Sequence, residues 1–286
     1  MTSRLVRPRN PRPIALTQRD RAVVEDVAHF GVVTAAHIRA LHFAGIGLRA
    51  VQSRLRRLFE HRFLDRLFFP RVFAADGPRE AMTPVYCLGR RGAALVGDDA
   101  IRAHVDAAAL QHDLVGVDLL VALRLAHGRT AVTEPEHVLW RRVAVARTAE
   151  PTLPRVVVPD AAFTIPEGSF AVEVVRASVR GGNRSVVEKL ARYASLHHTG
   201  VLARVFKWQR LRAVLVLTPT PARASQLRAL AARTLVHGRF LFWFGHWQLR
   251  PRLGVPVTIF GRDSITTALS VSITGEPRSL SHPHHV

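Results

Sequence analysis

The chain has 286 residues, 48% hydrophobic and 22% charged, which is long enough for two domains and too apolar for wholesale disorder. Its 41 basic residues outnumber 21 acidic ones for a net charge of +20, shared between residues 1–100 (17 against 9) and the remainder (24 against 12), which points to a polyanionic partner. No apolar run approaches the ~20 residues that would cross a bilayer, so a membrane partner is not expected. Cys87 is the only cysteine, so no internal disulfide can form, in keeping with a reducing, cytoplasmic setting.

Residues 1–14 contain MTSRLVRPRNPRP, which lacks the apolar stretch of a secretory signal and reads as a flexible arginine-proline arm. From Thr17, an N-cap precedes Ala22, Val23, Val27 and Phe30 at helical spacing, and Gly31 stops the pattern. A short second helix starts at Thr34 and ends near Gly45. The Gly45-Ile46-Gly47 connection then feeds a third helix, in which Leu48, Val51, Leu55, Leu58 and Phe59 repeat at steps of three and four and should face a core.

The opposite side of the third helix carries Arg49, Ser53 and Arg57, flanked by Gln52 and Arg56. Guanidinium groups pair bidentately with guanine edges or with phosphates, and Gln and Ser can contact base edges, so this side suits a major groove. A charged helix face is also commonly just solvated. FLDRLFFPRVF, a turn-rich loop and VYCLG read as two strands around a tip, which would place Arg71 and Arg79 against phosphates. Three helices followed by a basic hairpin is the order of a winged helix-turn-helix, expected over residues 15–98.

Residues 99–128 read as a helical connector, ending at Gly128. Beyond it, RVVVPDAAFTI and SFAVEVVRA form a hairpin around Pro-Glu-Gly-Ser. A helix follows, with Val186, Leu190 and Leu196 facing the core and Lys189 and Tyr193 four residues apart on one face. A buried strand RAVLVLTP, a helix and the strand FLFWFGHW complete a β-β-α-β-α-β order, hence a mixed sheet over residues 129–270. The tail, 271–286, reads as disordered, with His282, His284 and His285 close together.

An Asp and a Glu on adjacent strands attract attention because two carboxylates can hold Mg²⁺ or Mn²⁺ against a phosphodiester while a lysine orients water. Asp160 and Glu173 are the candidate metal ligands, and Lys189 completes the candidate catalytic set. This arrangement resembles the PD-(D/E)xK nucleases, in which the lysine normally stands two residues after the glutamate. Here that position is Val175, so the set is incomplete unless Lys189 substitutes from the helix. Without cleavage no cofactor is required for binding.

LTQRDRAVVEDVAHFGVVTAAHIRALHF, VQSRLRRLFEHRFLDRL, VYCLGRRGAALVG, LQHDLVGVDLLVAL, VVPDAAF and FAVEVVR, in that order, resemble the replication-relaxation family of plasmid and integrative-element proteins over about residues 15–235. In that family the second strand usually reads Glu-Val-Asp-Arg, and Val175 replaces the acidic residue.

The resemblance implies an α/β (mixed α+β) chain in which a winged helix precedes a restriction-endonuclease-like domain. It implies a DNA-binding accessory factor of a mobile element, associated with the nucleoid or plasmid and acting in replication initiation or plasmid relaxation. Double-stranded DNA is the expected partner, with replication or transfer proteins as further candidates, and a homodimer would suit two half-sites. Two alternatives stay open: a Mg²⁺- or Mn²⁺-dependent nickase using Asp160, Glu173 and Lys189, and a winged-helix protein-interaction factor.

Overall fold

A computed structural model describes residues 6–70, 82–97, 110–175, 182–235, 241–246 and 258–260. The chain divides into two compact units, Met1–Val121 and Ala122–Val286, and both mix helix with sheet.

The first unit opens with three helices, α1 (Gln18–Phe30), α2 (Ala35–His42) and α3 (Leu48–Glu60). At the start of α1 the Thr17 hydroxyl accepts from the Asp20 N–H while the Asp20 carboxylate accepts from the Thr17 N–H at 2.7 Å, a reciprocal capping box. Thr34 and His37 repeat the device on α2. His37 Nδ1 accepts the Thr34 N–H, so its proton sits on Nε2, which donates to Asp118 at 2.5 Å. That bond ties α2 to α5 (Leu110–His127).

Strands β1 (Val32–Thr34), β2 (Leu64–Pro70) and β3 (Met82–Leu88) form an antiparallel sheet in the order β1-β3-β2. β1 is too short to show a period and was not legible in the sequence. Helix α4 (Arg90–Val96) follows β3 and lies so close to the backbone just before β2 that a Cβ on Gly92 would lie 2.2 Å from the Phe63 carbonyl oxygen. Cys87 is buried in β3, where loss of water pushes its thiol up to about 11.

Within α3, Val51, Leu55, Leu58 and Phe59 are buried as their spacing requires. Leu48 is not: it stands 40% exposed, because it is the first residue of the helix, immediately after the Gly47 N-cap. Arg71 and Arg79 lie outside the described residues.

The second unit holds a mixed sheet in the order β4-β5-β6-β7-β8-β9: β4 (Val132–Pro135), β5 (Ala161–Ile165), β6 (Gly168–Val174), β7 (Leu211–Thr218), β8 (Phe242–His246) and β9 (Thr258–Phe260). The pairs β4/β5, β5/β6 and β8/β9 are antiparallel, while β6/β7 and β7/β8 are parallel. The expected hairpin is β5/β6. Its turn reaches Gly168 at φ 133°, a conformation side chains strongly disfavour, and the stacked Phe163–Phe170 pair, 4.9 Å between centroids, fixes its register.

Helix α7 (Gly182–His198) covers one face of this sheet, with Val186, Val187, Leu190, Tyr193 and Leu196 packed in the same core as Ala171, Val175, Val214 and Val216. Helices α8 (Val201–Phe206) and α9 (Pro221–Thr234) join that core. β4 and helix α6 (Glu136–Ala149) precede the expected order, α8 interrupts it and β9 follows it. The mixed α+β class read from the sequence holds, with these elements added.

Candidate functional sites

The strand period places Ala171, Glu173 and Val175 on the sheet face beneath α7, which buries the Glu173 carboxyl at 4% exposure. Both of its oxygens are engaged. Tyr193 Oη donates to Oε1, and Lys189 Nζ donates to and ion-pairs with Oε2, the two donors standing one turn apart on α7.

Continuing the β5/β6 register by one step sets Asp160 opposite Glu173. The Asp160 N–H donates to the Val172 carbonyl at 3.0 Å, and its Oδ2 accepts the Val174 N–H at 2.7 Å. Asp160 therefore closes the end of the ladder with its own carboxylate.

The structure brings together Asp160, Glu173 and Lys189, with Tyr193 as the second donor to Glu173. Glu136, in the first turn of α6, contributes a further negative field on Lys189 and Tyr193. Glu136 carries no sequence signal, because α6 buries only Leu139 and Val143 and shows no apolar stripe.

Burial, reinforced by the facing Asp160, pushes the Glu173 carboxyl up to about 8, against the opposing pull of Lys189 and Tyr193. Lys189 is displaced upward, its burial outweighed by Glu173 and Asp160. Tyr193 is driven well above its usual value by burial and by Glu173.

These residues do not fit a divalent cation as they stand. Mg²⁺ needs near-octahedral oxygen donors, but both Glu173 oxygens already accept from protonated side chains, and one Asp160 oxygen holds a backbone N–H. Among the described residues no group of three His, Cys, Asp or Glu side chains is placed to hold a metal ion. The arrangement is a buried, doubly bonded carboxyl joining β6 to α7.

The α3 surface is the other candidate. Arg49, Gln52, Ser53 and Arg56 are exposed along two adjoining rows of the helix, and Arg56 Nε also reaches Glu60 one turn on at 2.8 Å. Arg57 is half-buried, and its guanidinium donates to the Pro13 carbonyl at 2.9 Å, so this predicted contact residue is engaged within the chain.

Arg54 is not set apart from the other arginines by any sequence signal. Its guanidinium forks onto the Asp20 carboxylate and donates to the Ala15 carbonyl at 2.9 Å. Burial raises the Asp20 carboxyl, but hydrogen bonds from Arg54 and Thr17 outweigh it and hold the group below its ordinary range.

No curated protein and no solved structure matches the chain. The replication-relaxation family model matches residues 24–207, running from α1 through α7 and α8 and so across both sites. Membership suggests a role in replication or relaxation of plasmid or other mobile-element DNA, and no helix among the described residues is long and apolar enough to cross a membrane. By this match over most of its length, the chain belongs to the replication-relaxation family.

Proposed function

We propose that the protein is a double-stranded-DNA-binding factor in which residues 15–98 act as a winged helix, with α3 in the major groove. The observation that carries this reading is the division of α3. Val51, Leu55, Leu58 and Phe59 are buried on one side, whereas Arg49, Gln52, Ser53 and Arg56 stand in solvent on the other, on a chain of net charge +20. A rigid helix offering two guanidiniums, an amide and a hydroxyl can make bidentate base contacts and phosphate contacts together.

The second unit is proposed to be a restriction-endonuclease-like domain whose acidic site serves structure. Asp160 precedes β5, Glu173 lies on β6 and Lys189 on the following helix, and their polar atoms are turned on one another and on the backbone, which supports this reading. A covalent tyrosine route through the phosphodiester is disfavoured as well. The chain has two tyrosines, Tyr86 and Tyr193, exposed by 1% and 0%, so neither can meet a DNA strand in this fold.

The test is binding to a duplex selected from a random-sequence library by the wild-type protein. Arg49→Ala and Gln52→Ala should each weaken binding about tenfold, corresponding to the 1–3 kcal/mol of a base contact, and relax the preference for the selected sequence. Unchanged affinity and preference in both variants would reject α3 as the reader.

The proximity of Asp160 to Glu173 keeps a second reading in view, a Mg²⁺- or Mn²⁺-dependent nickase with Lys189 as its third residue. It would require Glu173 to give up a donor. Supercoiled plasmid incubated with either ion should be retarded and not nicked by the wild-type protein. Nicking that disappears in Asp160→Ala would replace the binding reading of this unit with an enzymatic one.

A further inference from the structure

The arginine-proline segment expected to be flexible is fastened to α3 from residue 7 onward. The Ala15, Pro13 and Arg12 carbonyls accept from Arg54 (2.9 Å), Arg57 (2.9 Å) and His61 Nε2 (2.8 Å) in turn, so the segment runs antiparallel to the helix. Arg7 clamps its far end. Its Nε donates to the Phe59 carbonyl at 2.8 Å, its guanidinium ion-pairs with Asp65, and the same group lies 4.3 Å from the Phe59 ring centroid.

Arg54 and Arg57 on α3 and His61 at its C-cap follow one another by three and four residues, and Arg57 continues the row that holds Arg49 and Ser53. The segment therefore borders the exposed face of α3. The Arg12, Pro13 and Ala15 carbonyls are turned to the helix, and Arg9 and Arg12 are exposed.

We propose that residues 6–15 are a preformed DNA-contact strap, with Arg9 and Arg12 binding backbone phosphates beside the groove occupied by α3. This rests on the DNA-reading role of α3 proposed above. Three features favour it. Arg7 is used as an anchor, which leaves Arg9 and Arg12 with no such duty. Pro8, Pro11 and Pro13 fix φ on either side of the bend at Arg9 and Asn10, so the two guanidiniums are presented on a chain part of whose ordering entropy is already spent before DNA arrives. Finally, a phosphate ridge is what adjoins an occupied major groove, and its recognition needs charge and reach without a base-specific geometry.

The test measures affinity for a random-sequence duplex and for the library-selected duplex as a function of salt, in wild type, Arg9→Ala/Arg12→Ala, Arg9→Lys/Arg12→Lys and Arg49→Ala. Each phosphate neutralised contributes about −0.9 to the slope of log K against log salt, so the double alanine variant should have a slope shallower by about 2 on both duplexes, with its sequence preference intact. The double lysine variant should keep the wild-type slope. Thermal unfolding should be unchanged in both, since the substituted side chains are exposed.

A wild-type slope in the double alanine variant overturns the strap. If Arg49→Ala still weakens binding in that case, the α3 reading survives alone, and if it does not, both fall. A shallower slope combined with an Arg49→Ala variant that binds normally would overturn the placement of the strap beside a reading helix.

Discussion

Glu173 is a carboxyl whose hold on a proton is strengthened by folding, and that has a measurable sign. The folded protein holds the group up to about 8 against an ordinary value of 4.5, chiefly through burial. A carboxyl raised on folding contributes stability that is fully present below pH 4.5 and is lost as pH rises through 8. Lys189 and Tyr193 are also displaced upward, but they titrate above this window. Urea unfolding between pH 5 and 9 should therefore show wild-type stability falling toward the alkaline end, and Glu173→Gln should flatten the curve. Stability that rises from pH 5 to 8 would mean that Lys189 and Tyr193 hold the carboxylate ionised. At pH 7, Tyr193→Phe should cost about 1–3 kcal/mol, the loss of one donor to a buried acceptor.

Arg54 needs separating from its exposed neighbours for a related reason. Asp20 is 1% exposed, and Arg54→Ala would leave its carboxylate buried without a counter-ion, at a cost of about 3 kcal/mol. Thermal denaturation should place this variant well below Arg49→Ala, which removes only an exposed side chain. Equal midpoints would show that the Asp20 pair contributes little, whatever its geometry. In an alanine scan of α3 for DNA binding, a loss at Arg54 without this control would report unfolding.

At the scale of elements, α4 gives a prediction that runs against helix propensity. Alanine normally stabilises a helix interior over glycine by about 1 kcal/mol, and Gly92 lies within α4. A methyl there meets the Phe63 carbonyl at 2.2 Å and the Leu88 side chain at 2.9 Å, and the former is backbone that cannot swing away. Gly92→Ala should therefore destabilise by about 2 kcal/mol or more by chemical denaturation. A stabilised variant would mean that α4 slides freely on β2.

Which elements were legible in the sequence follows from their periodicity. α1, α2 and α3 carry apolar residues at steps of three and four between recognisable caps, and β5 and β6 are β-branched and aromatic runs around a glycine turn. β4 is four residues ending in proline. α6 buries only Leu139 and Val143 while leaving Trp140 and Val145 half or more exposed, so it has no clean apolar stripe to read.

The acidic site divides in the same way. The i, i+4 spacing made Lys189 and Tyr193 neighbours in the sequence, but the use of an Asp160 oxygen by the Val174 N–H depends on strand register, which no residue type announces. The strap was invisible because its backbone carbonyls accept the bonds from Arg54, Arg57 and His61, and every residue type, proline included, offers the same carbonyl.

At the scale of the whole molecule, the net charge of +20 has a consequence that separates DNA binding from protein docking by the first unit. Binding driven by phosphate neutralisation releases condensed counter-ions, so the affinity for random-sequence duplex must fall linearly on logarithmic axes as salt is raised. With both sequence halves basic, several phosphates should be neutralised at once, and a threefold to fourfold increase in salt should weaken binding by roughly two orders of magnitude or more. Fluorescence anisotropy with a labelled random duplex measures this directly. A nearly flat salt dependence with weak affinity would mean that the positive surface is not laid against DNA. The exposed face of α3 would then be better explained as a docking surface for a replication or transfer protein. A steep dependence would show that DNA phosphates are neutralised on binding, because the slope counts the condensed ions released from the duplex.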